Sequence, residues 1–265
     1  MADLAADVLV PAPEAGRIWT GSRRVRFGDV NPGGRARLDS LSAYVQDVAS
    51  DDTEAAGVGG GTGTGPAGNV WVVRRAVYEV HRAARFLEDL TLTTWCSGLG
   101  RRWGERRVSM HGSKGAHIEA ALLWVTLDLE TGRPVPIGDD FDAGYREAAG
   151  GREVSARLQH PNAVPDDPAV RRMPWSLRAT DFDLLDHVNN AASFAMVEQV
   201  IAHHDRHSSF RAEVEYRVPV ESGCEVELAI LEDAGGMAMW ALARPAGHEP
   251  GAPPIVATTA RLLLR

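Results

Sequence analysis

The sequence predicts an α+β protein made of two similar halves, each with one long helix packed on an antiparallel sheet. The first observation behind this prediction is element order, because strand, turn, helix and several strands occur twice within the 265 residues. The second is residue identity between the halves, which recurs at an offset of 152 positions. The identical pairs are Arg26 and Arg178, Asp29 and Asp181, Ala43 and Ala195, Val45 and Val197, and Val48 and Val200. Together the two observations indicate a structural duplication.

The first half is predicted as a domain over residues 17–138. Residues 17–27, RIWTGSRRVRF, alternate in the manner of a strand, and the turn GDVNPGGR follows. Four apolar residues then follow at helical spacing, which predicts a helix: Leu38, Leu41, Val45 and Val48. Beyond the glycine-rich loop GVGGGTGTGPAGN, the runs VWVVRRAVYEVHR, LTLTTWCSGL, ERRVSMHG and AHIEAALLWVTLDLETGRPVPI predict an antiparallel meander.

Residues 139–172 are predicted as an interdomain linker, because periodicity is lost there while Pro, Asp, Glu and Arg become frequent. A short helix within this linker fits the composition. The second domain is predicted over residues 173–265. Its strand MPWSLRAT, turn DFDLLDHVNN and helix AASFAMVEQVIAHHDR are followed by four strand-like runs, which repeats the order of the first half.

Composition narrows the classes of function. The formal charge of −8 at pH 7 disfavours a protein that binds the phosphate backbone of nucleic acids. No apolar run is long enough for a membrane helix, and the opening MADLAADVLVPAPEAG lacks the features of a secretory signal. We therefore expect a cytoplasmic protein without nucleic-acid or membrane partners.

The sequence predicts no metal and no cofactor. Cys96 and Cys224 lie far apart without a CxxC pattern, so they are expected to be packing residues. His203 and His207 would share one face of a helix, but no further ligand pattern accompanies them and a solvated helix end is the more common explanation.

The turn of the second half concentrates polar residues directly before a helix. The pattern Asp-x-Asp-x-x-x-His-Val-Asn-Asn comprises Asp181, Asp183, His187, Val188, Asn189 and Asn190. It resembles the signature of the hotdog-fold thioesterases, in which a helix is wrapped by a curved sheet. The first-half turn FGDVNPGG resembles the same element in the 4-hydroxybenzoyl-CoA thioesterase branch, with Asn31 in the second acidic position.

The duplicated order, with TTWCSG and VTLDLETGRPVPI in the first half and VEYRV in the second, is similar to the acyl-ACP thioesterase family. This resemblance implies two tandem hotdog domains, each a long helix wrapped by a curved antiparallel sheet. In plant members an Asp-x-Asn-x-His turn and an acidic residue on the following strand form the site. Asp183 and His187 match that pattern, whereas Leu185 replaces the asparagine and Pro219 the acidic residue. Glu221 is a candidate substitute, because it shares the sheet face of Pro219 if no bulge intervenes.

The resemblance also implies roles in hydrolysing fatty acyl-ACP to free fatty acid and holo-ACP. Asp183 would act as general base or as nucleophile, and His187 would orient water or polarise the carbonyl. The N–H groups at the start of the first-half helix, residues 39–41, are expected oxyanion donors. The acyl chain would lie in the first half beside this helix. Candidate substrate-binding residues are Asn31, Leu41, Tyr44, Val45, Asn189 and Asn190.

Structural alternatives exist for several of these residues. Asp181 is expected to cap its turn or bind Arg178, and Asn189 and Asn190 to cap the following helix. The basic segment RRWGERR, residues 101–107, is expected to be a solvated hairpin, with docking of an acidic carrier protein as the alternative.

Two other functions stay open. An acyl-CoA thioesterase is favoured by the Asp-x-Asp turn, and a non-hydrolytic acyl-thioester binding protein by Leu185 and Pro219. The expected partner is therefore an ACP or CoA thioester. Tandem halves supply a paired arrangement within one chain, so a monomer with pseudo-dimeric halves and a homodimer are both compatible with the sequence.

Overall fold

A computed structural model describes residues 9–57, 69–201, 209–233, 235–249 and 251–265. The first half contains β1 (Ile18–Arg24), α1 (Leu38–Ala55), β2 (Asn69–Arg82), β3 (Asp89–Leu99), β4 (Trp103–Gly112) and β5 (His117–Asp128). Helix α2 (Asp139–Ala149) follows. The second half contains β6 (Arg171–Trp175), α3 (Asn190–Ile201), β7 (Phe210–Tyr216), β8 (Glu225–Asp233), β9 (Gly236–Arg244) and β10 (Ile255–Leu264). Most of the glycine-rich loop, and the segment with His203 and His207, lie outside the described residues.

The strands form one antiparallel sheet in the order β1-β3-β4-β5-β2-β7-β10-β9-β8-β6. Outward from the central pair, β2, β5, β4, β3 and β1 correspond to β7, β10, β9, β8 and β6. The two central strands pair antiparallel, with Ala76 opposite Val214 and Tyr78 opposite Ala212. The halves are thus joined edge to edge and related by a pseudo-twofold axis at the β2–β7 pair, as the predicted duplication requires.

The core lies between the sheet and the two long helices, which pack against each other. The predicted stripe of α1 is buried, with no more than 2% exposure for each member: Leu38, Leu41, Val45 and Val48. Helix α3 contributes Phe194, whose ring packs edge-to-face on Tyr78 with centroids 4.9 Å apart. Burying each large apolar side chain stabilises the fold by about 1.5–3 kcal/mol. The predicted α+β class is confirmed.

Helix α2 packs on the first half, against β3. Tyr145 is buried there beside Cys96 and Ala149, and its hydroxyl lies 2.9 Å from the carboxylate of Asp52 in α1. The short helix expected within residues 139–172 is therefore present, and it belongs to the packed body of the first half.

Residues 159–170, which we call the strap, cover the sheet face opposite the helices in the second half. The N–H groups of Gln159 and His160 donate to the carboxylate of Glu215 at 2.5 and 3.0 Å. The indole of Trp240 donates to the Pro161 carbonyl at 3.0 Å. Val164 and Val170 of the strap pack with Ala229, Trp240 and Leu242 in a small core of their own.

The strap buries His160 as a neutral imidazole. Burial lowers the pKa of His160 to about 3, and the guanidinium of Arg261 adds to this shift. The carboxylates of Glu213 and Glu215, 3.8 and 4.0 Å from the ring nitrogens, do not offset these effects. Folding therefore resists protonation of this ring.

Acid is expected to destabilise the protein through His160. The unfolded imidazole takes up a proton near pH 6.5, whereas the folded one does so only near pH 3. Between these values the unfolded state binds more protons, so the free energy of unfolding falls by about 1.4 kcal/mol per pH unit as the pH drops. Well above pH 6.5 the imidazole is neutral in both states, so stability no longer changes with pH through this histidine.

Urea unfolding at pH 7 and pH 5 measures this contribution. His160→Asn should lose about 2 kcal/mol less than the wild type over this interval, because it lacks the proton-binding group. The control is His248→Asn, in the loop after β9, which should lose as much stability as the wild type. An equal loss in wild type and His160→Asn would show that another group governs the acid response.

Candidate active site

A short 3₁₀ turn precedes both long helices and is built the same way in each half. The two copies are Phe27–Asp29 and Ala179–Asp181. In each, the carboxylate of the last residue accepts a hydrogen bond from the main-chain N–H of Arg26 or Arg178, at 2.6 and 2.8 Å. The guanidinium of Arg178 also binds Asp181, with Nη2 2.7 Å from Oδ1. The predicted structural role of Asp181 is thereby confirmed.

Asn31 and Asp183 then hold the following part of each turn. The N–H of Asn31 donates to the Arg35 carbonyl at 2.8 Å, and that of Asp183 to the His187 carbonyl at 2.9 Å. Oδ1 of Asn31 accepts from the Arg35 N–H at 3.0 Å. Oδ1 of Asp183 accepts from the N–H groups of Leu185 at 2.9 Å and His187 at 3.4 Å. The turn thus needs a side-chain oxygen at this position but no negative charge.

His187 and Glu221 are neighbours through their main chains, which form an isolated antiparallel bridge. Strand β7 ends at Tyr216, so Glu221 lies in the loop before β8, with its side chain exposed. The expected strand through Pro219 is wrong, and the condition set for Glu221, a strand without a bulge, is not met. The strand ends because β10 has a bulge at Ala257. The N–H groups of Arg217 and Val218, which follow β7, both donate to the Ala257 carbonyl, at 2.8 and 3.3 Å.

Asn189 caps helix α3. Its Oδ1 accepts the N–H of Ala191 at 2.8 Å, and its carbonyl accepts that of Ser193 at 3.1 Å. Asn190 is the first residue of α3, and its carbonyl accepts the hydroxyl of Tyr216 at 2.9 Å. Capping is confirmed for Asn189, while contact of either asparagine with substrate stays a prediction.

The first-half turn is closed by a buried ion pair with the second half. Nη2 of Arg35 lies 2.5 Å from Oε1 of Glu198 in α3, and Nη1 lies 3.3 Å from Oε2. The two side chains are 5% and 8% exposed. Glu198 Oε2 also accepts the N–H of Leu38, the first residue of α1, at 3.1 Å.

This ion pair bears on the expected oxyanion donors at residues 39–41. At the start of α1 the Leu38 N–H donates to Glu198, and the Leu41 N–H donates to the Arg37 carbonyl at 3.0 Å, so both groups are already engaged. The geometry therefore argues against an oxyanion site at this helix terminus.

The second-half turn differs from the first at the corresponding positions. The same offset places His187 at the position of Arg35, and Gln46 of α1 at that of Glu198. An imidazole and a neutral amide cannot form the ion pair of a guanidinium and a carboxylate. Asp183 and His187 are both half-buried and accessible to solvent. Of the two turns, the second therefore combines an accessible carboxylate with a histidine.

A cleft of about 830 Å³ opens beside this turn. Its apolar lining includes Trp175, Leu177, Phe182 and Val226, and its polar lining includes Asp186, Cys224 and Arg244. Asp183 follows directly on Phe182 in the chain. Small-molecule sites occupy about 300–1,000 Å³, so the cleft is large enough to admit part of a thioester.

The residues expected to line the acyl chain are in the closed core. Leu41 and Val45 are 2% and 0% exposed. The Tyr44 hydroxyl donates to Asp29 at 2.5 Å, and burial together with this bond raises the pKa of Tyr44. An acyl chain beside α1 would have to separate these packed side chains, and their role in substrate binding stays a prediction.

Arg106 and Arg107 do not belong to a solvated basic segment, contrary to expectation. Arg106 points toward the helices, with Nη1 2.5 Å from Asp52, and Arg107 points to the other face, 2.5 Å from Glu119. Their exposures are 7% and 1%. Successive strand residues alternate between faces, and β4 is covered on both faces at this point.

Comparisons with known proteins agree with this architecture. The models of the acyl-ACP thioesterase N-terminal and C-terminal domains match residues 16–145 and 166–242. An uncharacterized protein of Mycobacterium tuberculosis is 29% identical over 221 residues, 81% of this chain and 83% of that protein. The chloroplastic oleoyl-acyl carrier protein thioesterase of Coriandrum sativum is 24% identical over 192 residues, 67% of this chain and 52% of the plant protein.

The solved structure of the 12:0-ACP thioesterase from Umbellularia californica has a similar fold, with a TM-score of 0.75 at 18% identity. The match covers 94% of this chain and 97% of that one. Within the described ranges, no helix is both long and apolar enough to cross a membrane.

The duplicated turn, helix and sheet form a tandem hotdog fold. The chain belongs to the acyl-ACP thioesterase family, with both domains of that family present in order. Membership of this family supports a thioester hydrolase, and the resemblance noted in the sequence is confirmed.

Proposed function

We propose that this protein hydrolyses fatty acyl-ACP to free fatty acid and holo-ACP, as a cytoplasmic enzyme that needs no cofactor. The observation that carries the proposal is the duplicated turn. Asn31 and Asp183 hold equivalent turns, but Asp183 alone of the two brings a carboxylate. Because an amide suffices for the turn, the charge at Asp183 is available for chemistry.

The proposed reaction uses the two oxygens of Asp183 differently. Oδ1 holds the turn through the Leu185 N–H, so we assign the chemistry to Oδ2. As general base, Oδ2 takes a proton from water while the water oxygen attacks the thioester carbonyl. As nucleophile, Oδ2 attacks the carbonyl and displaces the thiolate, and water then hydrolyses the resulting mixed anhydride to the fatty acid and the free Asp183 carboxylate. In either case the C–S bond breaks and the carrier leaves as a thiol after protonation.

We assign assisting roles to His187 and Glu221. His187 is four residues from Asp183 and half-buried, so it can orient water or polarise the carbonyl. Glu221 bridges to His187 through the main chain and would complete the acidic part of the site. The thioester would enter through the cleft beside Phe182. Asn189 and Asn190, which follow His187 in the turn, are proposed to contact it.

Thiol release from a panel of thioesters tests the proposed function. Purified protein is incubated with acyl-ACPs and matched acyl-CoAs of about eight to eighteen carbons, and the free fatty acid is measured beside the thiol. We expect equal yields of acid and thiol, with higher kcat/KM on ACP. Binding of acyl thioester without turnover of any member would instead establish a binding protein.

Hydrolysis of acyl-CoA is the second candidate function. The Asp181-x-Asp183 turn with Leu185 in place of asparagine is the feature that favours it. The coriander and Umbellularia relatives are named for ACP substrates, which supports ACP as the carrier. A higher kcat/KM on every acyl-CoA than on its matched acyl-ACP would decide for CoA.

Arg101 and Arg102 are exposed in the loop before β4, at the end of the sheet where the second-half turn is found. The Arg74 guanidinium donates to the Tyr216 carbonyl at the end of β7, 2.8 Å away. The neighbouring Val73 pairs with Trp124, and Trp124 pairs with Gly104 at the start of β4. The loop before β4, which carries Arg101 and Arg102, therefore lies three strand spacings, or about 15 Å, from β7.

Neutralising this loop is expected to weaken the use of acyl-ACP. Arg101→Ser combined with Arg102→Ser should raise KM for acyl-ACP roughly threefold to tenfold, with kcat and the KM for acyl-CoA unchanged, because an acidic carrier protein is attracted by surface charge. The matched control is Arg82→Ser with Lys114→Ser, which removes two exposed charges at the other end of the sheet. An equal effect of both pairs would indicate only a change in net charge.

A further inference from the structure

A second group of titratable side chains lies far from the turn in the chain, on the sheet face opposite the helices. His111 of β4 pairs directly with His117 of β5, and Ser109 pairs directly with Glu119. Residues two apart in a strand share a face, so these four side chains form one block. Val108 and Met110, which alternate with them in β4, are fully buried in the core.

The polar atoms of this block converge. The His117 Nε2 lies 3.2 Å from Glu119 Oε1, and the Ser109 hydroxyl lies 2.6 Å from the same oxygen. The His111 Nε2 lies 3.1 Å from the Ser109 hydroxyl. The two imidazoles stack with centroids 4.8 Å apart. One ligand atom each from His111, His117 and Glu119 falls within 4.8 Å of the others.

The carboxylate in this block is held in a fixed orientation from the protein side. Glu119 Oε2 binds Arg107, which is 1% exposed and also donates to the carbonyls of Ala120 and Val10, at 2.8 and 2.7 Å. Oε1 is thereby directed at the two imidazoles. Hydrogen bonding of the other carboxylate oxygen is a recurrent feature of carboxylates that bind metals.

We propose that His111, His117 and Glu119 form a binding site for a borderline divalent cation, of which Zn²⁺ is the representative. Two imidazoles and one carboxylate suit zinc and its neighbours, whereas calcium and magnesium prefer oxygen ligands throughout. The Ser109 hydroxyl and water would fill the remaining positions. The sequence predicted no metal, because these ligands converge only once β4 and β5 pair.

Zinc titration of the full chain tests this proposal without any measurement of hydrolysis. Calorimetry should show one Zn²⁺ site, and Co²⁺ in its place should give the visible absorption bands of a low-coordinate cobalt centre. His111→Ala with His117→Ala should weaken zinc binding at least tenfold, and Glu119→Gln should weaken it by a smaller factor. His117→Gln alone is the milder variant if the double variant has a lowered urea midpoint.

The matched control replaces His203 and His207 with Ala, because that pair also has potential ligand spacing in the sequence. This control should retain the zinc affinity of the wild type. Zinc binding lost in the control and kept in the His111/His117 variant would overturn the proposal. So would wild-type affinity no stronger than that of the His111/His117 variant.

Discussion

Asp183→Asn is expected to lower kcat for thioester hydrolysis by about a hundredfold or more, while the urea midpoint stays close to that of the wild type. Asparagine keeps the side-chain oxygen that accepts the Leu185 N–H, but it can neither take a proton from water nor attack a carbonyl. The protein itself shows that asparagine suits this position, because Asn31 holds the equivalent turn of the first half. The loss should therefore be one of chemistry.

Two comparison variants sharpen this experiment. Asp183→Ala removes the charge and the turn hydrogen bonds together, so it should lose the same activity and also about 1 kcal/mol of stability. Asp47→Asn removes a carboxylate that is 56% exposed on α1 and should leave both quantities unchanged. Wild-type kcat in Asp183→Asn would remove Asp183 from the reaction and assign the hydrolysis to another group.

The fold could be predicted from the sequence because the duplication is local information. Each half carries its turn, its helical stripe and its strands in the same order, and the offset that aligns Asp29 with Asp181 also aligns the first residues of α1 and α3. The same offset identified Asn31 and Asp183 as partners, and the structure places them in equivalent turns.

The parts that the sequence did not reveal depend on contacts between distant segments. Arg106 and Arg107 were expected to be surface charges. Both are buried, and they form ion pairs with Asp52 of α1 and Glu119 of β5. No periodicity marks such a burial, because a charged residue in a strand is expected to face water. The position of Glu221 depended on a bulge in β10, which is likewise set by strand pairing.

The pair of Arg35 and Glu198 is the clearest example, since the two residues are 163 positions apart. No motif in the sequence connects Arg35 with Glu198, and their aligned counterparts, His187 and Gln46, gave no indication of an ion pair. Once the pair is seen, it explains why the two turns can differ in function. One turn is tied to the opposite helix, while the other keeps its histidine and carboxylate accessible to solvent.

Breaking the Arg35–Glu198 pair is expected to give a large loss of stability. Arg35→Met leaves the Glu198 carboxylate buried with the Leu38 N–H as its remaining partner described above. Removing one member of a buried ion pair costs about 3–5 kcal/mol, because the other charge stays desolvated. Urea unfolding at pH 7 measures the loss.

The double variant distinguishes a buried charge from general damage to packing. Arg35→Met with Glu198→Gln removes both charges, and the glutamine oxygen can still accept the Leu38 N–H, so most of the stability should return. A double variant as unstable as Arg35→Met alone would mean that the arginine stabilises the interface by packing, for example on the Phe210 ring 5.9 Å away. Full recovery would instead show that the ion pair adds little net stability, and that its main effect is to close the first-half turn.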